Sequence, residues 1–498
     1  GSNPFLRFQT IWRTGMKRLA IILSMVLTGS FLAEAAIPNL LPLLIGTPTT
    51  IDTGVFQPTS SGACRLYGTA YNTLDDEYMV SWWGKNPSTY EVRIQRLDKD
   101  GNLIGPYITF SSSLMNLINP QVAYSPVINE YMLVYEEYNT TGTHFARAQR
   151  LDPSGNLIGS AQNLGTGPSS KLEPHVVWGD TRWFVVWREE VTISTTSSNA
   201  LKGQFMNTDG KLDGSELSLA TAINNKPARV AYNSGSDNYL VVAQDTDNDT
   251  FLGYIVENST GVATTKVQIA KPSALGQAFP DVAADPDPSN PRFLVSWAIW
   301  KLALGTASGI ECEVQGQFVS AEGMLDGSML MLQKAEGSEI MEIISSISFS
   351  PESQEYFLGY EFYLDPNLSP ECRGSLLDKK GIAIESEITI SGPVTSGLIQ
   401  PTVCAGFGGR FLSLWQDGGF LIGQVYESPN YNENGGGVNP GPGTYENNVE
   451  GTNGDSAIND TLCGGSAVNG TMGRLPESTL LIGFLLLLAG YFGTRRSL

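Results

Sequence analysis

The chain has 498 residues, of which 41% are hydrophobic and 10% aromatic, so it can bury a large core and is not disordered throughout. Its 50 acidic and 30 basic residues give a formal charge of -20, which repels phosphate backbones and argues against nucleic-acid binding. The 54 glycines and the low charged fraction of 16% favour short strands joined by tight turns.

The first 35 residues predict export. Lys17 and Arg18 follow Met16 and precede an apolar run, residues 19 to 27, and then the small-residue site at Ala33-Glu34-Ala35. This order is typical of a secretory signal peptide, here residues 16 to 35, which a signal peptidase removes. Residues 1 to 15 are then an upstream extension. A longer signal anchor is the alternative that the sequence leaves open.

A hydrophobic run recurs seven times along the chain, which indicates a repeat architecture. The copies begin at Tyr78, Tyr131, Trp183, Tyr239, Phe293, Tyr356 and Phe411. Their fifth residues are Trp82, Tyr135, Trp187, Ala243, Trp297, Tyr360 and Trp415. Near-continuous apolarity is typical of strands covered on both faces, so we expect the aromatic layer to be core.

A second strand with a small residue follows each run, and in five copies the next residue is glutamine. Those glutamines are Gln95, Gln149, Gln204, Gln317 and Gln424. Turns ending in Gly101, Gly155, Gly210, Gly323 and Gly381 come next. Glycine there supplies the positive φ of a bulged hairpin. Each unit therefore predicts four strands, A to D, with the hydrophobic run as strand B.

Residues 64 to 428 resemble the repeat propellers of exported bacterial proteins, which carry these hydrophobic, Gly-Gln and Asp-x-x-Gly elements in each blade. The resemblance implies an all-β fold, a seven-bladed β-propeller with four-stranded antiparallel blades, over residues 46 to 428. The seventh unit ends at Ser428 without strand D. We expect residues 49 to 56 to supply that strand and close the ring, because an open ring leaves unpaired edges.

Ligand contacts are expected in the loops between strands B and C, which vary in length while the C-to-D turns are uniform. The longest of these predicted loops run from 189 to 200 and from 299 to 311. The candidate ligand-binding residues at these strand ends are Glu136, Arg188, Glu189, Glu190 and Glu361. Solvated loop charge is the alternative interpretation of the same residues.

Asp245, Asp247 and Asp249 place three carboxylates at alternate positions in the fourth such loop, as calcium loops do. Thr250 stands where a glycine is expected, and no glutamate falls at loop position 12. Calcium as a cofactor is therefore a hypothesis. The spacing of the three aspartates favours it, whereas the missing glycine and glutamate argue against it.

Five cysteines suit an oxidising compartment. Four of them can form two disulfides in three ways, and of these we expect the pairs Cys312 with Cys372 and Cys64 with Cys404. Cys463 is left over. The two histidines, His144 and His175, have no surroundings typical of a nucleophilic triad or a metal cluster.

The C-terminal region predicts a tether. Residues 429 to 474 are rich in Gly, Asn, Pro and Ser, as a flexible stalk is. Residues 475 to 498 then form a sorting signal that resembles the PEP-CTERM tail of exosortase substrates. Its apolar segment, residues 480 to 492, is too short to span a bilayer comfortably as a permanent transmembrane helix. We expect this segment to form a short helix. The motif residues are Leu475, Pro476, Glu477, Ser478, Thr479, Arg495 and Arg496. The second proline of that pattern is missing, and the likeness to a sortase site is weaker still.

These features predict an exported propeller at the cell surface or in the extracellular matrix, transiently anchored through its C-terminal segment. Its expected partners are an exported glycan or surface protein, together with signal peptidase and an exosortase-like processing enzyme. The leading hypothesis is a binding or structural module without evident catalysis. The alternatives are a carbohydrate-active hydrolase or lyase that uses loop carboxylates, and a scaffold that contacts proteins through the propeller rim.

Overall fold

A computed structural model describes the propeller and parts of its loops. The described residues are 43–52, 65–85, 89–139, 142–193, 196–224, 226–246, 250–270, 276–302, 310–334, 345–362, 369–394 and 401–431. They form seven four-stranded antiparallel sheets, which confirms the predicted seven-bladed β-propeller. None of them belongs to a helix that could cross a bilayer.

Six of the blades use four consecutive strands each, and within each sheet strands A to D lie side by side in chain order. The first three blades are β2 (Arg65–Asn72), β3 (Glu77–Lys85), β4 (Tyr90–Asp98) and β5 (Leu103–Phe110); β6 (Asn116–Ser125), β7 (Glu130–Tyr138), β8 (His144–Leu151) and β9 (Leu157–Asn163); β10 (Ser170–Gly179), β11 (Arg182–Ile193), β12 (Thr196–Met206) and β13 (Leu212–Ile223).

The next three are β14 (Arg229–Asn233), β15 (Asn238–Gln244), β16 (Phe251–Glu257) and β17 (Ala263–Ala270); β18 (Gly276–Asp285), β19 (Arg292–Leu302), β20 (Ile310–Ser320) and β21 (Leu325–Lys334); β22 (Ser345–Ser350), β23 (Glu355–Phe362), β24 (Glu371–Asp378) and β25 (Ala383–Thr389). The seventh blade combines β26 (Thr402–Ala405), β27 (Arg410–Asp417) and β28 (Phe420–Glu427) with β1 (Leu43–Asp52).

The hydrophobic core lies between the blades. Seven clusters of buried apolar side chains each join two neighbouring blades, and the A strands contact one another around the ring until β26 meets β2. The predicted aromatic layer belongs to this core, because six of its seven members are fully buried and Tyr135 is half-buried. A single blade would expose these faces, so the sheets are stable only as a closed ring.

Each repeated glutamine connects strand C to strand D through hydrogen bonds of its side chain. Gln204 Nε2 donates to the carbonyl oxygens of Asp213 and Gly214 at 3.0 and 3.2 Å. Gln95, Gln149, Gln317 and Gln424 donate to strand D carbonyls in the same way. These bonds fall where the pairing shifts register at a bulge, so they satisfy carbonyl groups that the ladder leaves open.

The turn glycines also hold neighbouring blades together. Gly210 has a φ of 72°, and a Cβ added to it would lie 2.5 Å from Cδ of Arg150 in the preceding blade. Arg150 in turn donates from Nη1 to the Asp209 carbonyl oxygen at 3.1 Å. The position therefore needs glycine for its backbone conformation and for the close approach of the preceding blade.

The N-terminal strand completes the seventh blade, but it begins earlier than the sequence predicts. β1 pairs with β28 from Leu43, opposite Glu427, to Asp52, opposite Leu421. Gln424 Nε2 donates to the Ile45 carbonyl oxygen at 2.7 Å, which repeats the glutamine bond of the other blades. The ring is therefore closed by pairing between the first and last strands, which are separated in the sequence by almost the whole propeller.

Antiparallel pairing gives the propeller two faces. We call the side that carries the B-to-C and D-to-A connections the loop face, and the side that carries the A-to-B and C-to-D turns the turn face. Two of the long loops predicted on the loop face are largely strand. The β11–β12 pairing continues to Ile193 opposite Thr196, and the β19–β20 pairing continues to Leu302 opposite Ile310. Glu189 and Glu190 therefore lie within β11 and not in a loop.

Candidate functional site

Three of the five candidate residues, Glu136, Arg188 and Glu361, occupy a recurring place in the fold, directly after the aromatic layer of strand B near the loop face. The seven residues there are Trp83, Glu136, Arg188, Gln244, Ala298, Glu361 and Gln416. All seven are buried, and five of them are polar or charged. They are thus interior groups, not the solvated loop charges that the alternative interpretation predicts, and buried polar groups need partners.

Glu136 joins the second and third blades. Its Oε2 lies 2.7 Å from Nδ1 of His144, and its Oε1 accepts the backbone N–H of Glu173 at 2.6 Å. The Asn119 amide donates to Oε1 as well. Three donor groups thus surround one fully buried carboxylate, and one of them is on the inner strand of the next blade.

Glu173 continues this chain of contacts into the third blade. Its Oε2 accepts Arg188 Nε at 3.0 Å, and Arg188 Nη1 donates to Asn199 Oδ1 at 2.8 Å. Burial raises the pKa of the Glu173 carboxyl above its ordinary value, and the Arg188 charge opposes that change. The ion pair therefore compensates part of the cost of a buried charge.

The fourth blade adds two cations that interact electrostatically with the same carboxylate. Burial lowers the pKa of Lys226, while the charge of Glu173 favours its protonated form and that of Arg188 opposes it. The Arg229 charge in turn favours ionised Glu173. Lys226 is half-buried and Arg229 is buried. We call Glu136, Glu173, Arg188, Lys226 and Arg229 the charged cluster.

Two half-buried rings lie beside the charged cluster. Tyr138 stacks on His144 with a centroid separation of 4.8 Å and an interplanar angle of 17°. His144 is also the partner of Glu136. Tyr138 ends β7, so the pair lies at the loop face. Flat rings next to charged groups can recognise both the face and the polar edge of a ligand.

Glu189 belongs to a separate set of ion pairs on the opposite side of the third blade. Its carboxylate lies 3.6 Å from Lys171 Nζ and 3.7 Å from Lys202 Nζ, and Lys202 also pairs with Glu216 at 3.1 Å. Glu190 is half-buried on the next strand position. Of the five predicted ligand residues, the structure therefore places Glu136 and Arg188 together and Glu189 and Glu190 nearby.

Glu361 lies in the sixth blade, away from the charged cluster, and is paired in register with Cys372. Cys372 carries a free, buried thiol, whose pKa burial raises well above its ordinary value. The predicted disulfide from Cys312 to Cys372 is therefore wrong. Cys404 is disulfide-bonded. The side chain of Cys64, its predicted partner, lies outside the described residues, so that pairing stays a prediction.

The calcium hypothesis is untested. Asp245 is half-buried, and its Oδ1 accepts the Thr246 backbone N–H at 2.7 Å, whereas Asp247 and Asp249 lie outside the described residues. In the described part of the chain no three His, Cys, Asp or Glu side chains are grouped to hold a metal. The signal peptide, the stalk beyond residue 431, Cys463 and the sorting motif also lie outside that part.

Sequence reasoning missed Glu173, Lys226 and Arg229. The signal that points to this region is a proline within or just before strand A, in Asn119-Pro120, Glu173-Pro174 and Lys226-Pro227. Asn119 and Glu173 have positive φ values of 53° and 54°, and the pairing shifts register there. This bulge places their side chains at the boundary between blades.

No protein-family model matches the sequence, and no curated protein matches it. Solved structures similar in fold include the Dos1 propeller, with a TM-score of 0.41, 10% identity, and 74% of this chain and 94% of that chain covered. An oligogalacturonate lyase in complex with manganese has a TM-score of 0.42 at 10% identity, covering 80% and 99%. The neuraminidase-like N11 protein of a flat-faced bat influenza virus from Peru has a TM-score of 0.38 at 12% identity, covering 78% and 98%. Such likenesses say nothing about activity.

Proposed function

We propose that this chain is an exported binding module, tethered to the cell envelope, that presents its loop face to an exported glycan or surface protein. The signal peptide, the stalk and the sorting segment predicted from the sequence support export and tethering. Their processing by signal peptidase and an exosortase-like enzyme is part of the proposal.

One observation carries this proposal: the chain enters and leaves the propeller on the same face. Leu43, the first residue of β1, pairs with Glu427, the last residue of β28. The chain then turns back onto the seventh blade, where the Ser428 N–H donates to the Gly409 carbonyl oxygen at 2.8 Å. Both ends thus lie at the turn face. A tether at either end would present the opposite face, with the charged cluster, to the surroundings.

The cluster itself suits recognition. Glu136 is held by donors from two blades, and Arg188 is held by Glu173 and Asn199. Groups fixed in this way keep their geometry when a ligand arrives, so little conformational entropy is lost on binding.

Labels on the two faces test the orientation. Leu114 on the loop face is 81% exposed and Met324 on the turn face is 64% exposed, so either can be replaced by a labelled cysteine in a Cys463→Ser background. The full-length protein is reconstituted with lipid vesicles that contain an acceptor dye. We expect stronger energy transfer from position 324 than from position 114. Equal transfer, or a protein that does not attach to vesicles, would overturn the tethered orientation.

A glycan array followed by product analysis separates binding from catalysis. The proposal expects retention of a glycan or a surface protein without turnover. Release of shortened or unsaturated sugars, abolished by Glu136→Gln, would instead establish the hydrolase or lyase alternative. Capture of envelope proteins that survives replacement of loop-face residues would favour a rim scaffold.

A further inference from the structure

Three half-buried rings lie on the loop face, across the boundary between the first and second blades. Tyr90 begins β4, Tyr138 ends β7 and His144 begins β8. We call these three residues the loop-face rings. Each of them stands next to a B-to-C loop, so a ligand that approaches this face can reach all three.

Contacts between neighbouring strands hold the three rings next to one another. The Tyr90 N–H donates to Asn116 Oδ1 at 2.9 Å, and Asn116 is the register partner of Tyr138. Tyr138 stacks on His144 with a centroid separation of 4.8 Å. Burial raises the pKa of the Tyr138 hydroxyl, and the nearby Tyr90 and Glu136 raise it further. The rings thus form one continuous strip over two blades.

Buried groups beneath the strip fix both of its ends. The Tyr90 ring packs edge to face on Trp83, with centroids 4.9 Å apart and an interplanar angle of 82°. Trp83 is 8% exposed and belongs to the core cluster that joins the first two blades. Nδ1 of His144 lies 2.7 Å from Oε2 of the buried Glu136. Rings held in this way lose little conformational entropy when a ligand packs on them.

The contact between His144 and Glu136 also decides which ligand groups the strip can recognise. Glu136 accepts hydrogen bonds from the Asn119 amide and the Glu173 N–H. It therefore accepts from His144 as well, so Nδ1 carries the ring proton. The other ring nitrogen, Nε2, is then an acceptor in the neutral imidazole. The strip thus suits a ligand that combines a flat apolar face with a hydrogen-bond donor.

A sugar chain meets both requirements. A pyranose presents a C–H face that packs on aromatic rings, and hydroxyl groups at its edge that donate hydrogen bonds. A proline-rich peptide also packs on aromatic grooves, but proline has no N–H to donate to Nε2. The formal charge of -20 disfavours a polyanionic chain. Rings on two blades accommodate more than one sugar unit.

We propose that the loop-face rings bind a neutral oligosaccharide. Its sugar rings pack on Tyr90 and Tyr138, and one of its hydroxyl groups donates to Nε2 of His144. This proposal rests on the proposed binding function and names its ligand class and its site.

Histidine NMR of the native full chain tests the proposal, because the chain has only two histidines. His175 is 2% exposed and serves as the internal reference. Neutral hexasaccharides of glucose, mannose, galactose and xylose are titrated in turn. We expect at least one of them to shift the His144 resonances and leave those of His175 in place. If none of them binds, or if binding leaves His144 unshifted, the proposal is overturned.

Three variants then measure the contribution of the rings by calorimetry. Tyr138→Ala should weaken binding of that hexasaccharide about tenfold, whereas Tyr138→Phe keeps the ring and should stay within about threefold of the native affinity. Tyr107→Ala is the matched control and should bind normally. Tyr107 is an exposed tyrosine of the first blade that contacts Trp82, on the side of β3 opposite to Trp83. Native affinity in Tyr138→Ala would refute the site.

Two further outcomes separate this proposal from the function on which it rests. A proline-rich peptide that shifts His144 while no hexasaccharide does would refute the ligand class. An acidic glycan or a surface protein that binds without shifting His144, while the neutral hexasaccharides do not bind, would refute the site and leave the binding function standing.

Discussion

Asp52 Oδ2 lies 2.7 Å from Nη1 of Arg93, and both side chains are buried, at 4% and 2% exposure. The same oxygen accepts Trp82 Nε1 at 2.9 Å, and Glu91 holds the other side of the guanidinium at 2.7 Å. Asp52 is the last residue of β1, whereas its partners belong to the first blade. The strand that completes the seventh blade is thus fastened to the first.

Asp52→Ala should therefore weaken ring closure. The substitution leaves the Arg93 guanidinium buried with one carboxylate fewer, and we expect a loss of roughly 3 kcal/mol in the free energy of unfolding, measured with urea. The exposed pair of Lys99 and Asp100 provides a control, since Lys99→Ala should change that free energy by about 0.5 kcal/mol or less. Similar effects from both substitutions would show that the Asp52 contact does not hold the ring.

Trp187→Ala should cost roughly 3 to 5 kcal/mol, because the indole is fully buried in the aromatic layer between the second and third blades. Thermal and urea unfolding of the variant measure the loss. Leu114→Ala, at an 81% exposed position, is expected to stay within about 0.5 kcal/mol of the native protein. An unchanged melting temperature for the tryptophan variant would contradict the core role of this layer.

Glu352 should make stability fall as pH rises through neutrality. Burial raises the pKa of its carboxyl to about 7, and Ser350 Oγ donates to its Oε2 at 3.1 Å. A carboxyl with a higher pKa in the folded than in the unfolded state binds its proton more tightly when folded. Its stabilising effect is then present below the unfolded value near 4.5 and is lost by about pH 7.

The size of this effect is about 1 to 2 kcal/mol, because the side chain is half-buried and solvent screens the charge. Urea unfolding of Glu352→Gln between pH 4 and pH 8 measures it. The variant should lose this part of the pH dependence and be the more stable protein at pH 8. A native and a variant curve that run parallel over this range would refute the assignment.

Cys372 should resist alkylation in the native protein and react once the chain is unfolded, without any reductant. Burial keeps the thiol out of reach and raises its pKa, so little thiolate forms. Cys404 serves as the internal control, since it is disulfide-bonded and should react only after reduction. Mass spectrometry of alkylated peptides distinguishes the two. If Cys372 also needed a reductant, the disulfide to Cys312 would be restored.

The position of the candidate site could be predicted from the sequence only in part. Glu136 and Arg188 are candidates because they stand at the end of strand B beside a variable B-to-C loop, and the structure brings both into one cluster. Glu361 is a candidate on the same ground and lies in another blade. Periodicity assigns a residue to a place within its own blade, but it does not say which neighbours in the next blade complete the contacts.

The sequence by itself determined the number of blades, the aromatic layer and the turn glycines, because each depends on a short pattern that every blade repeats. The tertiary structure alone decided that β1 begins at Leu43, that Asp52 pairs with Arg93 and that Glu173 connects Glu136 with the cations of the next blades. These contacts join residues far apart in the chain or in different blades. Their geometry arises only when the ring closes and neighbouring sheets come together.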